Sequence, residues 1–300
     1  MAFSKIIECV PNFSEGRNIN VIEKIVENFR AKDGVKLLDY SWDEDHNRCV
    51  VTVVGEPTPL KDAVVAAIGT AIKEINMNEH KGQHPRMGAV DVVPFIPIKN
   101  STVEECVSLS KDVAKEIWEK YEMPSFLYEN SASSSKRKNL AKIRKGEYEG
   151  MFEKMQEEDW HPDFGNNAPH PTAGVCAIGA RAPLVAYNIN LDTSNVDIAN
   201  KIAKNIRHLS GGYRFVKAMG VELKDRNISQ VSINMTDYTK TSLYRVFETV
   251  KFEAKRWGVN VIGSEIVGLV PMMALIESAE YYLGLEEFKP EQILETRIME

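Results

Sequence analysis

The stretch Val35–Ile75, "VKLLDYSWDEDHNRCVVTVVGEPTPLKDAVVAAIGTAIKEI", decides the fold. Val35–Trp42 and Arg48–Gly55 are dense in β-branched and aromatic residues and read as two strands, separated by the acidic turn Asp43–Asn47. Pro59–Ile75 reads as a helix whose proline lies at its start, where a missing N–H costs nothing. Strands alternating with amphipathic helices recur in both halves of the chain, without a convincing repeat in the residues themselves.

On the N-terminal side, Lys5–Phe13 is strand-like, and Ile19, Val21, Ile22, Ile25, Val26 and Phe29 fall near helical spacing. On the other side, Gly88–Ile98 reads as a strand. Thr102–Tyr121 reads as a long helix opened by a capping-box pattern, Ser101 to Glu104. Ser131–Met155 begins as a Ser-rich loop and continues as a charged surface helix. Trp160–Gly174, rich in Pro, Gly and Asn, fits no regular element, and a loop of that length is usually functional or a linker. Gly174–Leu191 then holds two β-rich runs around a short turn. Beyond it, helices are expected at Asp197–Leu209, Thr241–Gly258 and Pro290–Glu300, and the alternating run Ser229–Met235 reads as a strand.

The whole reads as an α/β (α+β-like) chain of two subdomains, residues 1–180 and 181–300. Each is expected to hold a mixed β-sheet with packed helices, with a ligand cleft or tunnel between them. Three hundred residues, 43% hydrophobic and 27% charged, suffice for such cores without a disulfide or metal staple. A net charge of −6 argues against a nucleic-acid binder, whose footprint is basic. The four cysteines form no CxxC pair, so a zinc ribbon or a disulfide framework is disfavoured. No apolar run reaches membrane-spanning length, and none of the N-terminal runs suits a signal peptide; a cytoplasmic location follows as the expectation.

Chemistry concentrates in "HKGQHPRMGAVDVVPFIP", His80–Pro97. His80 and His84 have the i,i+4 spacing of a helical zinc pair, but Gly82 lies between them and Pro85 pushes His84 out of the helical region. No metal is therefore expected, although a chelator-sensitive hydrolase and a plain polar loop both remain as alternatives. His84 stands between Lys81 and Arg86, and neighbouring cations favour its neutral form, which suits a general base. Asp91, inside an apolar strand, needs a hydrogen-bonded or cationic partner.

Together "ECVPNFSEGRN" (Glu8–Asn18), "HKGQHPRMGAVDVVPFIP", "KIRKGEYEG" (Lys142–Gly150), "DWHPDFG" (Asp159–Gly165), "GARAPLVAYNINL" (Gly179–Leu191) and "IVGLVPMMAL" (Ile266–Leu275) resemble the glutamate formimidoyltransferase family. The resemblance runs from Glu8 to beyond Leu275. No cyclodeaminase segment follows, so the chain resembles the family's free-standing form. It implies two α/β subdomains, a folate-holding tunnel and a homodimer. It also implies transfer of a formimino group from N-formimino-L-glutamate to N5 of tetrahydrofolate, late in histidine breakdown, with tetrahydrofolate (as a polyglutamate) the co-substrate. The product would be passed to a separate cyclodeaminase.

The resemblance places the catalytic acid/base at His84. It places the folate-binding segment at Gly165, Asn166, Asn167, Ala168, Pro169, His170, Pro171, Thr172, Ala173 and Gly174. Asp39 and Asp91 are the candidate carboxylates for the protonated amidine. Arg48, Lys81 and Arg86 are the candidate cations for the substrate carboxylates. Two other functions fit the same residues: formyl transfer from N-formylglutamate, and folate binding without catalysis.

Overall fold

The computed structural model describes residues 4–299. Packing divides the chain into two units, with the boundary after Arg181. The first contains β1 (Ile6–Cys9), β2 (Asn12–Phe13), α1 (Ile19–Val26), β3 (Val35–Asp43), β4 (Arg48–Gly55), α2 (Pro57–Glu74), β5 (Val90–Lys99), α3 (Val103–Tyr121), β6 (Ser125–Glu129), α4 (Leu140–Arg144), α5 (Glu147–Lys154) and β7 (Cys176–Ala180).

Its sheet has seven strands in the order β1-β4-β2-β5-β7-β6, with β3 paired to β4. The segment β1–β2 runs between β4 and β5 and pairs antiparallel with both. β5, β7 and β6 run parallel, so the sheet is mixed. Side chains alternate between its two faces. One face carries Cys9, Phe13, Val51, Val53, Val93, Phe95 and Ile178 into a core closed by α1, α2 and α3. Burying each large side chain of this kind contributes about 1.5–3 kcal/mol relative to exposure.

The opposite face is divided. Toward β7 and β6, Val92, Ala177, Phe126 and Tyr128 meet Ile143, Met151 and Met155. The segment expected as a charged surface helix is therefore two short helices, α4 and α5, that bury an apolar side. Gly146, at φ +97, breaks them apart. The cap of α3 also differs by one residue: Thr102 and Glu105 form the box. Ser101 instead hydrogen-bonds the Ile6 carbonyl and accepts from the Ile98 amide.

The second unit holds β8 (Val185–Leu191), α6 (Val196–Ile206), β9 (Val216–Leu223), β10 (Ile228–Met235), α7 (Leu243–Arg256), β11 (Val261–Val267), α8 (Met272–Leu283) and α9 (Leu294–Met299). Its four strands follow the order β11-β8-β10-β9, and every pairing is antiparallel. The α/β character with packed helices is as expected; the mixed sheet is found in the first unit and not in the second. The two β-rich runs of Gly174–Leu191 separate at this point: β7 closes the first sheet and β8 opens the second. Val185, Tyr187, Ile189 and Leu191 alternate toward α6 and α7, which makes the core. Asn190 and Gln230 are nine-tenths buried or more and hydrogen-bond each other at 2.8 Å.

Candidate active site

His84 lies on the loop between α2 and β5, beside the start of β4. Arg48, the first residue of β4, donates from one Nη to His84 Nε2 at 3.2 Å and to Asn12 Oδ1 at 3.1 Å. Arginine only donates, so His84 accepts through Nε2, and the neutral ring carries its proton on Nδ1. Burial pushes the His84 pKa down to about 3, aided by Arg48, Arg144 and His46 and opposed by the Pro85 carbonyl. The ring is neutral at pH 7, and Arg48 occupies its lone pair.

His80, four residues away, has a different role. Its Nε2–H faces the Asn47 carbonyl at 3.0 Å, and its Nδ1 accepts from Arg86 Nε at 3.2 Å. Both nitrogens are committed, and His80 pins the loop to the β3–β4 turn. Among the described residues, no group of three or more His, Cys, Asp and Glu side chains is arranged to hold a metal ion.

Asp91 sits in a bulge. Consecutive residues Asn12 and Phe13 of β2 oppose Val92 and Val90 of β5, which leaves Asp91 as the extra residue. It is 2% exposed. One carboxylate oxygen accepts from the Met87 amide at 3.1 Å, and the other pairs with Arg144 of α4. Burial raises its pKa, and Arg144 opposes that shift. Asp91 thus anchors Arg144 and the loop below His84, and no face of it is open to a substrate.

Asp39 is half-buried on β3 opposite Thr52. Asp43 opposite Arg48 is two pairs further along the same face. Four residues of strand separate Thr52 from Arg48, about 13 Å of rise. Asp39 therefore shares the face of the sheet with Arg48 without adjoining His84.

The three expected cations divide as well. Arg48 is at the site. Lys81 is exposed, and its carbonyl accepts from Asn47. Arg86 is withdrawn from substrate: its five N–H donors meet His80 Nδ1, the His80 carbonyl, Glu147 and Glu149, the last twice. A guanidinium has five donors, so none remains for a ligand. Arg86 fastens α5 to the His84 loop and does not hold a substrate carboxylate.

The segment Gly165–Gly174 adjoins this loop. His170 and Gly174 exchange backbone hydrogen bonds at 2.9 and 3.0 Å, and His170 Nδ1 accepts from the Ala173 amide at 3.0 Å. Val175 N donates to the Met87 carbonyl, and Ala89 N to the Ala173 carbonyl. A Cβ on Gly174 would stand 2.4 Å from the Met87 oxygen, and its φ is +73. Only glycine permits both the left-handed turn and this approach. Thr172 accepts from the Met77 amide, and Pro171 from Tyr148 and Asn78. Asn166, Asn167 and Ala168 are exposed, whereas Pro169 and Ala173 are buried.

Sequence reasoning did not single out Arg144, Asn12 or His46. No local pattern separates Arg144 from Lys142 and Lys145. The available signal was Asp91, whose place in an apolar strand demanded a cation from elsewhere. "SSSKRKN", expected as a solvated loop, also holds a buried residue: Arg137 pairs with Asp163 at 3.0 Å and secures the start of the Trp160–Gly174 loop. All four cysteines are free and buried, and burial raises Cys49 and Cys106 to about 12. They are thiols, unsuited to nucleophilic attack.

Comparison with known proteins gives the family. Residues 6–181 match the N-terminal subdomain of the formiminotransferase domain, and residues 186–297 match the formiminotransferase domain. The chain is 56% identical to a glutamate formimidoyltransferase of Streptococcus pyogenes serotype M1, covering 99% of each. It is 45% identical to a glutamate formimidoyltransferase of Thermoplasma acidophilum, covering 98% of this chain and 97% of the relative. A formimidoyltransferase-cyclodeaminase of Dictyostelium discoideum is 42% identical over 98% of this chain and 56% of its own length. The chain belongs to the formiminotransferase family, and it is a formimidoyl-transferring enzyme.

Proposed function

We propose that the enzyme moves the formimino group of N-formimino-L-glutamate to N5 of tetrahydrofolate, with His84 as the acid/base and glutamate as the leaving group. The observation that carries this reading is the pairing of His84 Nε2 with Arg48 on a loop stitched to Gly165–Gly174 through Met87 and Gly174. Tetrahydrofolate supplies the nucleophilic N5. As the N5–carbon bond forms, His84 takes the N5 proton at Nε2. It returns that proton to the glutamate nitrogen as the carbon–nitrogen bond to glutamate breaks. One imidazole in this role contributes on the order of 10²- to 10⁴-fold.

His84 must become more basic than it is in the free protein. Its low pKa arises from burial and from two arginines, and a substrate carboxylate beside those arginines would offset the second cause. Arg48 and Lys81 are the cations we assign to the donor and to the folate tail. Asp91 acts through Arg144, and Asp39, about 13 Å of strand from Arg48, is not assigned to the amidinium. Gly165–Gly174 offers backbone groups and the exposed amides Asn166 and Asn167 to the pterin edge.

The same reading takes the enzyme as a cytoplasmic homodimer in histidine degradation. A cyclodeaminase would consume its product, in keeping with the fused relative's name. Among the described residues no helix is long and apolar enough to cross a membrane.

The test is a spectrophotometric assay of 5-formiminotetrahydrofolate formation, run with formiminoglutamate and with formylglutamate as donor. Turnover with the first supports the reading. Turnover with formylglutamate alone assigns formyl transfer, and folate binding without turnover of either assigns a non-catalytic role.

A further inference from the structure

Two guanidinium groups converge on His84, and one buried carboxylate answers them. Arg48 reaches from β4 and divides a single Nη between His84 Nε2 and Asn12 Oδ1, both neutral acceptors. Arg144 reaches from α4 and spends one Nη on Asp91. Its Nε–H is buried without a hydrogen-bond partner, and the Asp91 oxygen that pairs with Arg144 is likewise buried outside any well-aligned hydrogen bond. Each arginine senses the other: burial lowers the Arg48 pKa first, and repulsion from Arg144 lowers it further. The remaining groups around His84 are His46, which pairs with Asp43 in the β3–β4 turn at 3.0 Å, and the Pro85 carbonyl. The cluster has a single buried carboxylate beside its two guanidinium groups, with Asp43 half-exposed across from Arg48, an orphaned buried donor, and an arginine hydrogen-bonded to neutral partners.

We propose that Arg48 and Arg144 form the seat for one carboxylate of the glutamyl donor. Seating that anion draws Arg48 off His84 Nε2, so the lone pair is freed only when the donor is bound. This rests on the transferase reading above and adds Arg144, with a gating role for Arg48. The chemistry favours the exchange. A carboxylate accepts from a guanidinium fork in a planar, charge-assisted geometry that a neutral imidazole cannot match. It also satisfies the unpaired Nε–H and cancels the like charge that keeps a proton off His84. Asp91 is a positioning residue here: it holds Arg144 in place, while Asp43 offsets Arg48 from the exposed β3–β4 turn. Linkage makes the coupling reciprocal, so a ligand that raises the proton affinity of His84 must itself bind more tightly when His84 is protonated.

The experiment uses the full chain with carbon-13-labelled histidine and L-glutamate as the only ligand. The His84 resonance is titrated with pH, with and without saturating glutamate. Glutamate is expected to raise the His84 pKa by about one unit or more, a tenfold change in proton affinity, and to leave His80 unmoved. Arg48→Gln and Arg144→Gln are each expected to weaken glutamate about tenfold or more and to abolish the His84 shift. If Arg144→Gln does not fold, Arg144→Lys is read in its place. It keeps a charge against Asp91 without the fork and is expected to weaken glutamate measurably. The proposal is overturned if glutamate fails to bind the wild type, if it binds without moving His84, or if the folded arginine variants bind it as the wild type does. No folate and no turnover enter the measurement, so its failure is separable from a failure of the transferase reading.

Discussion

The two sheets differ in what they place on the face that the large helices leave uncovered. In the first, that face carries ionised groups: Arg48 beside neutral His84, and Arg144 over buried Asp91. In the second, it carries amides. Gln230 donates to Asn190 and to Glu265, both at 2.8 Å, and Asn188 donates to the same Glu265 oxygen at 3.2 Å. The first face is irregular, with a bulge at Asp91 and a long loop fastened across its edge. The second is an antiparallel sheet broken by one register shift, in β11. Regular pairing suits a hydrogen-bonded network in which each amide finds a partner from the next strand, here around the single carboxylate of Glu265. Proton transfer needs a group held off the ladder among charges, which a bulge and a loop provide.

Mutation of each face tests that contrast. Under the proposed acid/base role, His84→Ala is expected to lower turnover about 10²- to 10⁴-fold while the protein, losing only a half-buried side chain, melts near the wild-type temperature. Glu265→Gln keeps the shape of its network, and the single-turnover rate should fall by less than about tenfold, the scale of one weakened hydrogen bond. Equal losses from the two changes would erase the distinction between the faces.

Gly174→Ala forces a side chain into a left-handed turn and against the Met87 carbonyl. It should cost about 1–2 kcal/mol for the backbone alone, read as a lower urea midpoint, and turnover should fall with it. Wild-type turnover in this variant would mean that the two loops need not be joined. Arg86→Met removes the fastening of α5 and should cost about 1–3 kcal/mol, because its carboxylate partners are exposed and can turn to water.

The last effect concerns pH. The folded His84 pKa is about 3, below its unfolded value, so the unfolded chain binds more protons between those values. Stability should therefore fall as pH drops from about 6.5 toward 3. His84→Gln should flatten part of that slope in urea titrations, and an unchanged slope would show that other groups carry it.

How much of the site could be read from the sequence follows from how local each signal is. Strands and helices rest on neighbours within a few residues, and the elements of Val35–Ile75 lie where their pattern places them. His84 was singled out because Pro85 restrains its backbone, cations flank it and the family resemblance places the acid/base there. Arg86 was assigned to substrate by adjacency alone. Its partners, Glu147 and Glu149, are more than 60 residues away along the chain. The paired helices α4 and α5 were missed because their charged residues outnumber the few that pack, and one buried side needs only Ile143, Tyr148 and Met151.

The amino-acid sequence by itself determined the order of the elements, the division into two subdomains as an expectation, and the asymmetry between His80 and His84. It also determined that Asp91 requires a partner, because a carboxylate in an apolar strand cannot be left alone. Only the tertiary structure decided that this partner is Arg144, that Arg48 closes on His84 and that Arg86 turns inward. Those choices depend on which distant segments the sheet brings together, and the charge balance around His84 exists only once they have met.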